Sequence, residues 1–356
     1  MYVLIALLLL GILVTVHEAG HFMAARLTGI DVSEFAIGMG PKLLGWKSKK
    51  YDTQFSLRLI PVGGYCAFYG EDDALGKHTS DTRSYTNQPV WKRIITVACG
   101  PLMNFVLAFI VALLFYWIGG LNVATGIDPF IQQVNAAGPA YEAGLQDGDV
   151  IESINGVSML DGTMETLTGT IGAYREGDAP LQMVIRRGDS TFETQLIPYW
   201  SEEEGRALIG ITLSAYYRYE TLPCSFLEAA AESWNTCLYA GGVIINALKD
   251  LVTTGEGLDQ TAGPVGVVSM VSQQVAVGGL ETFLNYLVVI SINLGIMNLL
   301  PIPGLDGSRL IFMIIEAIRR KPIAPQKEAT VHLIGMLFLF ALMIFFTFKD
   351  IMRLFQ

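Results

Sequence analysis

Two histidines four residues apart, with a glutamate beside the first, stand at His17, Glu18 and His21. On a helix, positions i and i+4 share one face, so both imidazoles reach one cation. Glu18 then sits beside the cation's open coordination position, where it acts as base on a water. HExxH arises by chance in soluble helices, so its surroundings decide its weight. Here they are an apolar run from Met1 to about Leu27 with no charge before Glu18. Ionisable groups at membrane depth are expensive and point to function; the competing reading is a His–Glu hydrogen-bond network that glues helices together. A catalytic zinc takes three protein ligands plus water, so a third must come from elsewhere. The stretch Asn298-Leu299-Leu300-Pro301-Ile302-Pro303-Gly304-Leu305-Asp306-Gly307 ends another apolar run. Its prolines break a helix, and Gly307 permits a tight turn that aims the Asp306 carboxylate back at the cation. Taken alone, Asp306 reads first as a plain turn or helix-end residue.

The elements that would carry these residues follow from composition. Of 356 residues, 52% are hydrophobic and 16% charged, with a mean hydropathy of +0.45. A soluble domain usually carries about 25% charged residues, so part of this chain faces something other than water. The net charge of −10 argues against nucleic acid as a partner. Crossing a bilayer takes ~20 apolar residues, and four stretches qualify: Met1 to about Leu27, Ile94 to about Leu121, Thr282 to about Leu300, and Ala329 to Phe348. The first lacks the basic flank and cleavage site of a signal peptide. Ser233–Leu248 and Gln260–Leu280 carry no formal charge but are rich in Gly, Ser, Asn and Gln, and read as amphipathic or interfacial.

Lysines and arginines orient the spans. Gly29–Arg93 holds nine of them, and Arg309, Arg319, Arg320, Lys321 and Lys327 follow the third span, whereas Gly119–Leu280 has six basic against twenty acidic residues. The basic loops therefore face the cytoplasm and the acidic middle section lies outside. At ~1.5 Å per residue His17 lies roughly 20 Å along the first helix, beyond the middle of a ~30 Å core. That puts the site toward the cytoplasmic face. Both the first and third spans run inward, so Asp306 emerges at about the level of His17 and His21.

Between Asn122 and about Tyr217 short alternating runs predict strands at Phe130–Val134, Val150–Ile154, Leu181–Arg186 and Phe192–Ile197, with turns at Gly138-Pro139-Ala140 and Asn155-Gly156. The stretch AAGPAYEAGLQDGDVIESINGVSM resembles a PDZ domain of the bacterial membrane-protease kind. Such domains bind extended chain at a sheet edge, which implies a polypeptide ligand or a gatekeeping role.

HEAGH in the first span, NLLPIPGLDG ending the third, four spans and the PDZ-like section together resemble the site-2 protease family. More narrowly, the chain resembles bacterial RIP zinc metalloproteases of the M50 type with one PDZ domain. The resemblance covers nearly the whole chain and implies Zn²⁺ on His17, His21 and Asp306, with Glu18 as general base. It implies a substrate-binding role for Asn298. Phe35-Ala36-Ile37-Gly38-Met39-Gly40-Pro41 resembles the family's GxGP segment, so Gly38 and Gly40 open a β-hairpin that dips toward the active site. Such backbone is tolerable at membrane depth only inside protein or beside a wet cavity. Asn104, in Gly100-Pro101-Leu102-Met103-Asn104, is counted with the substrate-binding residues, although core packing explains it nearly as well. Among the other candidates, His78 reads as solvated and His332 as a buried hydrogen-bonding histidine. Nothing in the spacing requires Cys224 and Cys237 to pair.

The expected architecture is a polytopic α-helical membrane protein with four transmembrane helices, a membrane-dipping β-hairpin and an inserted extracytoplasmic α+β PDZ domain. The boundaries are 1–121 for the N-terminal half of the membrane core, with the hairpin loop at 30–70; 122–217 for the PDZ domain; 218–280 for an amphipathic linker; and 281–356 for the C-terminal half. The resemblance implies an intramembrane zinc endopeptidase of the bacterial cell membrane. Its partners would be the lipid bilayer and substrates with a transmembrane segment, such as anti-sigma factors or signal-peptide remnants trimmed first by an upstream protease. A membrane zinc protease of another kind and a non-enzymatic PDZ adaptor with a structural metal are the rival readings.

Overall fold

The computed structural model describes residues 2–71, 81–160, 162–257, 262–321, 323 and 325–354; His78 lies outside the described residues. In chain order the elements are α1 (Tyr2–Thr28), β1 (Val32–Lys47), β2 (Gln54–Phe68), α2 (Val90–Gly119), β3 (Leu121–Val134), α3 (Pro139–Glu142), β4 (Val150–Ile154), β5 (Val157–Ser158), α4 (Met164–Gly172), β6 (Leu181–Arg187), β7 (Ser190–Leu196), β8 (Tyr199–Ser201), β9 (Arg206–Leu208), β10 (Ile211–Leu222), α5 (Phe226–Thr253), α6 (Pro264–Leu299), α7 (Asp306–Arg319) and α8 (Pro325–Leu354). They gather into two compact units, one made of Met1–Tyr116 and Ser225–Gln356, the other of Trp117–Cys224.

Among the described residues four helices are long and apolar enough to cross a membrane: Tyr2–Thr28, Val90–Gly119, Pro264–Leu299 and Gln326–Met352. α5 is as long as α1, but Glu228, Glu232, Asn235, Asn246, Lys249 and Asp250 make it too polar for that class. The helices approach closely where side chains are small, as expected when packing rather than hydrophobic exclusion drives association. A Cβ on Gly20 would run into the Cys99 carbonyl of α2, and one on Gly295 of α6 would lie 2.9 Å from the Phe105 ring. Ala108 and Ala112 of α2 meet Ala240 of α5 and Val288 and Ile292 of α6 in one buried cluster.

The third apolar run departs from the sequence reading. α6 starts at Pro264 instead of Thr282, and the described part of Gln260–Leu280 forms its first limb. Val271 and Val275 of that limb pack against Ala6, Leu9 and Leu13 of α1. The limbs are divided at Gly279, whose φ of 61° and ψ of −142° are not helical. Glycine adopts that conformation without a steric penalty, so a glycine pair that reads as punctuation in sequence marks a bend between two helical limbs. The first limb's N-terminus is capped by α8, because the Gly263 and Gly266 N–H groups donate to the buried Asp350 carboxylate at 3.2 and 2.7 Å.

β1 and β2 pair antiparallel and fold back on themselves. Leu44–Lys47 pairs with Gln54–Leu57, while Ala36 faces both Tyr65 and Ser56.

The second unit is β-rich. Its main sheet runs β10-β3-β4-β6-β7, with β5 on β4. Ile131, Ile151, Ile154, Met159, Leu167, Met183 and Ile185 form its core under α4. Three of the four expected strands are present within two residues of their bounds; the fourth, Phe130–Val134, is the last part of β3, which begins nine residues earlier at Leu121. β10, the longest partner of β3, was not anticipated, because Tyr216, Tyr217 and Tyr219 expose more than half of their surface and blur the alternation. Ile151 is fully buried, so Ile151→Ala removes about 2–5 kcal/mol of local stability. Limited proteolysis of the intact chain is expected to show faster cleavage confined to 117–224, with the helical unit unchanged.

Candidate metal centre

His17 and His21 lie one turn apart on α1, both 6% exposed, with ring centroids 4.9 Å apart. Asp306 enters from the far end of the chain as the first residue of α7. Its Oδ2 lies 3.0 Å from His17 Nε2 and 3.3 Å from His21 Nε2, and the two Nε2 atoms are 3.3 Å apart. Among the described residues, these three could hold a metal ion. In a tetrahedral zinc site with bonds of ~2.0–2.1 Å, ligand atoms are about 3.3–3.4 Å from one another. The observed triangle nearly has that size already. Asp306 Oδ2 is buried and meets the two imidazole nitrogens, a donor set of two nitrogens and one carboxylate oxygen that suits a divalent cation.

The helix break that delivers Asp306 works differently from the sequence expectation. The residue with a left-handed backbone is Gly304 (φ 100°). Gly307 is already helical and is needed for close approach, since a Cβ there would strike the carbonyls of Leu299 and Leu300. His332 of α8 accepts from the Gly304 N–H at 3.2 Å; it is hydrogen-bonded as expected but only partly buried. Farther along α7, Arg309 donates to Glu71 at 2.6 Å, and Glu316 accepts from Arg93 at 2.6 Å. Glu71 also accepts from the Phe68 N–H. The helix bearing Asp306 is thereby tied both to the end of β2 and to α2.

The partners behind the histidines come from α2. Thr96 O accepts from His21 Nδ1 at 3.0 Å; a carbonyl only accepts, so the Nδ1 proton is fixed there and the His21 Nε2 lone pair faces the centre. Pro101 lies inside α2 and loosens the backbone ladder at this turn. A Cβ on Gly100 would occupy the His21 ring. Asn104, fully buried, reaches His17 Nδ1 at 3.1 Å. It lies behind a histidine and has no exposed surface.

Glu18 stands outside the ligand triangle. Its carboxyl lies against the Cys66 backbone and within electrostatic reach of His21, His17 and Asp306. β2 lies beside it: a Cβ on Gly64 would crowd the Ala36 carbonyl of β1 at 2.9 Å and stand at ordinary contact distance, 3.5 and 3.4 Å, from Glu18 Cγ and Val14. Burial, then the Glu18 charge, push the Cys66 thiol up, so it stays a neutral thiol and a poor nucleophile. Gly38 and Gly40 hold φ of 84° and 82°. Their hairpin is locked by Glu34, which accepts from Ser56 at 2.6 Å, Tyr65 at 2.7 Å and Arg58 at 2.9 Å. Burial raises the Glu34 carboxyl, but these donors prevail and hold it below its ordinary range. Arg58 also donates to the Gly40 carbonyl at 2.8 Å. Asn298 is half-buried near the end of α6. The sequence reading missed the roles of Thr96, Gly100, Gly64 and the Arg309–Glu71 pair; small residues within apolar runs were the available signal for the glycines.

A separate cavity of about 580 Å³ lies in the β-rich unit, lined by Thr168 and Ile171 of α4 and by Ile209, Gly210, Ile211 and Leu213 at the start of β10.

The model of Peptidase family M50 matches residues 5–342. The regulator of sigma-W protease RasP of Bacillus subtilis is 33% identical over 427 residues, covering 98% of each chain. A putative zinc metalloprotease of Agrobacterium fabrum is 32% identical, covering 99% of this chain and 96% of that one. One of Clostridium perfringens is 34% identical over 353 residues, covering 99% and 98%. Among solved structures, the PDZ domain of an SdrC-like protein of Listeria monocytogenes is 23% identical, covering 26% of this chain and 90% of that one, with a TM-score of 0.22.

A methyl group at position 100 tests the geometry. Gly100→Ala is expected to displace the His21 ring and weaken zinc binding about tenfold or more, the range seen when a ligand loses its orienting support. Chelator competition on the detergent-solubilised chain measures it.

Proposed function

The chain belongs to peptidase family M50, and from that premise we propose that it is a zinc endopeptidase hydrolysing peptide bonds in the transmembrane segments of other proteins. The observation that carries the reading is the convergence of His17, His21 and Asp306 within 3.0–3.3 Å. Two imidazoles and a carboxylate suit zinc and also non-haem iron; the relatives named as zinc metalloproteases favour zinc. Zinc, when bound there, supplies a Lewis acid for the scissile carbonyl and lowers the pKa of a water. Glu18 takes the proton of the attacking water and hands it to the leaving amine. Its position against β2 and off the ligand triangle leaves its carboxylate available for that work.

A substrate helix hides its carbonyls in its own hydrogen bonds and must unwind before hydrolysis. Gly64–Phe68 pairs with β1 on one side and abuts Glu18, so it offers an edge along which an unwound strand aligns. Gly38, Gly40 and Asn298 are assigned to substrate on the family resemblance. The Asn298 side chain has no hydrogen bond among the described residues, which suits a group that waits for a ligand.

We place the chain in the bacterial cell membrane as a multi-pass protein, with its basic loops in the cytoplasm, the active site toward that side and the β-rich unit outside. Substrates are membrane-bound anti-sigma factors or signal-peptide remnants already trimmed by another protease, in line with a relative named for sigma-W regulation. The β-rich unit, read as a PDZ domain, screens out untrimmed ectodomains.

Glu18→Gln is expected to lower cleavage of a model transmembrane substrate by about 10²–10⁴-fold, the usual contribution of a general base, while zinc content stays at the wild-type level. Retained activity contradicts the assignment and favours an adaptor. Deleting residues 122–217 is expected to admit untrimmed substrates in the same assay, and unchanged selectivity contradicts the screening role.

A further inference from the structure

α7 is packed inside out for a helix in water. Its charged side chains point into the protein: Arg309 donates to Glu71 and Glu316 accepts from Arg93, each at 2.6 Å. Met313, on the same face, is buried in a cluster with Phe68, Tyr85 and Val97. The opposite face carries Ile311, Ile314 and Ile318, spaced i, i+3 and i+7, which are 42%, 46% and 78% exposed. A surface helix of a soluble domain turns these two faces the other way. The stripe ends in three consecutive cations, Arg319, Arg320 and Lys321, all exposed and without an ion pair among the described residues. Arg320 has a left-handed backbone (φ 53°) that ends the helix there. Lys327, also exposed, follows at the start of α8.

Length fixes how far such a helix reaches. The 14 residues of α7 span about 21 Å, too short for a ~30 Å hydrocarbon core. Its far end lies beside the first turn of α2, where Arg93 meets Glu316, and shortly before α8 begins at Pro325. On the orientation proposed above, those are cytoplasmic ends. We propose, resting on that membrane reading, that α7 is a half-leaflet helix whose end is a site for anionic lipid. Ile311, Ile314 and Ile318 lie among acyl chains of the cytoplasmic leaflet, and Arg319, Arg320 and Lys321, with Lys327, hold the phosphate of an anionic headgroup. Charge selects this occupant. A second copy of the chain, in the same membrane orientation, would set the same cations side by side, whereas each cation beside an anionic leaflet gains roughly fivefold in attraction. The helix that begins with Asp306 is then held by lipid at its other end.

The test reconstitutes the intact chain in vesicles of phosphatidylcholine mixed with phosphatidylglycerol, either lipid carrying brominated chains. Ile318→Trp places a reporter in the stripe, and the fluorescence it adds over wild type is followed as it is quenched. Phosphatidylglycerol is expected to associate at the reporter about fivefold or more strongly than phosphatidylcholine at low salt, and the preference is expected to fall at high salt. Combining Arg319→Gln, Arg320→Gln and Lys321→Gln is expected to abolish it while the chain still floats with the vesicles. A chain that does not float overturns the membrane reading, separately from this inference. A floating chain whose reporter is quenched by neither lipid, or equally by both, overturns the inference, as does a preference that the triple variant keeps. A reporter shielded from both lipids in a cross-linked dimer also overturns it, in favour of a second copy. If the triple variant does not fold, salt decides: a preference indifferent to salt overturns the site.

Discussion

Two imidazole nitrogens and a carboxylate oxygen are held 3.0–3.3 Å apart inside an apolar helical unit, a spacing close to that of ligands on one zinc ion. Water is largely excluded from both histidines. Gathering such groups where water is scarce costs free energy unless they meet one another or a cation, and several elements of the helical unit combine to bring them together.

α1 supplies the spacing of the histidines, but α2 determines which nitrogen each one presents. Its proline, its glycine facing His21 and its asparagine behind His17 lie within a few residues of one another, so a single turn of α2 acts as the outer layer of the centre. α7 brings the third ligand across most of the sequence. It is tethered at Gly304, Arg309 and Glu316 to three other elements, so Asp306 arrives at a fixed point. The hairpin closes the arrangement from another side, where the Cys66 backbone of β2 meets the Glu18 carboxyl. Ligand support, helix packing and the proposed substrate edge therefore share the same few ångströms.

Much of this was legible in sequence because its signals are local or costly. HEAGH inside an apolar run is both: the spacing is set by helix geometry, and the charge is out of place unless it works. The Asp306 segment was legible because prolines and glycines announce a helix break, although the residue assigned to the turn was Gly307 and the left-handed one is Gly304. Strands of the β-rich unit followed from alternation and turn residues. Long-range matters were not legible. No local pattern says that α6 begins at Pro264 and bends at Gly279, because a glycine pair looks alike whether it ends a helix or bends one. Nor does any pattern say that Asn104 meets a histidine, since that depends on the rotation of α2 against α1. Thr96 contributes only a backbone carbonyl, which leaves no mark on residue type.

The central claim is that two imidazoles and one distant carboxylate hold a single zinc ion. X-ray absorption at the zinc edge, recorded on the intact chain in detergent, tests it most directly. The account predicts one zinc per chain with nitrogen and oxygen neighbours at ~2.0–2.1 Å and no sulfur, and a changed or lost site in Asp306→Ala. A sulfur neighbour at ~2.3 Å, which would implicate a cysteine such as Cys66, or a spectrum indifferent to Asp306→Ala, would contradict it.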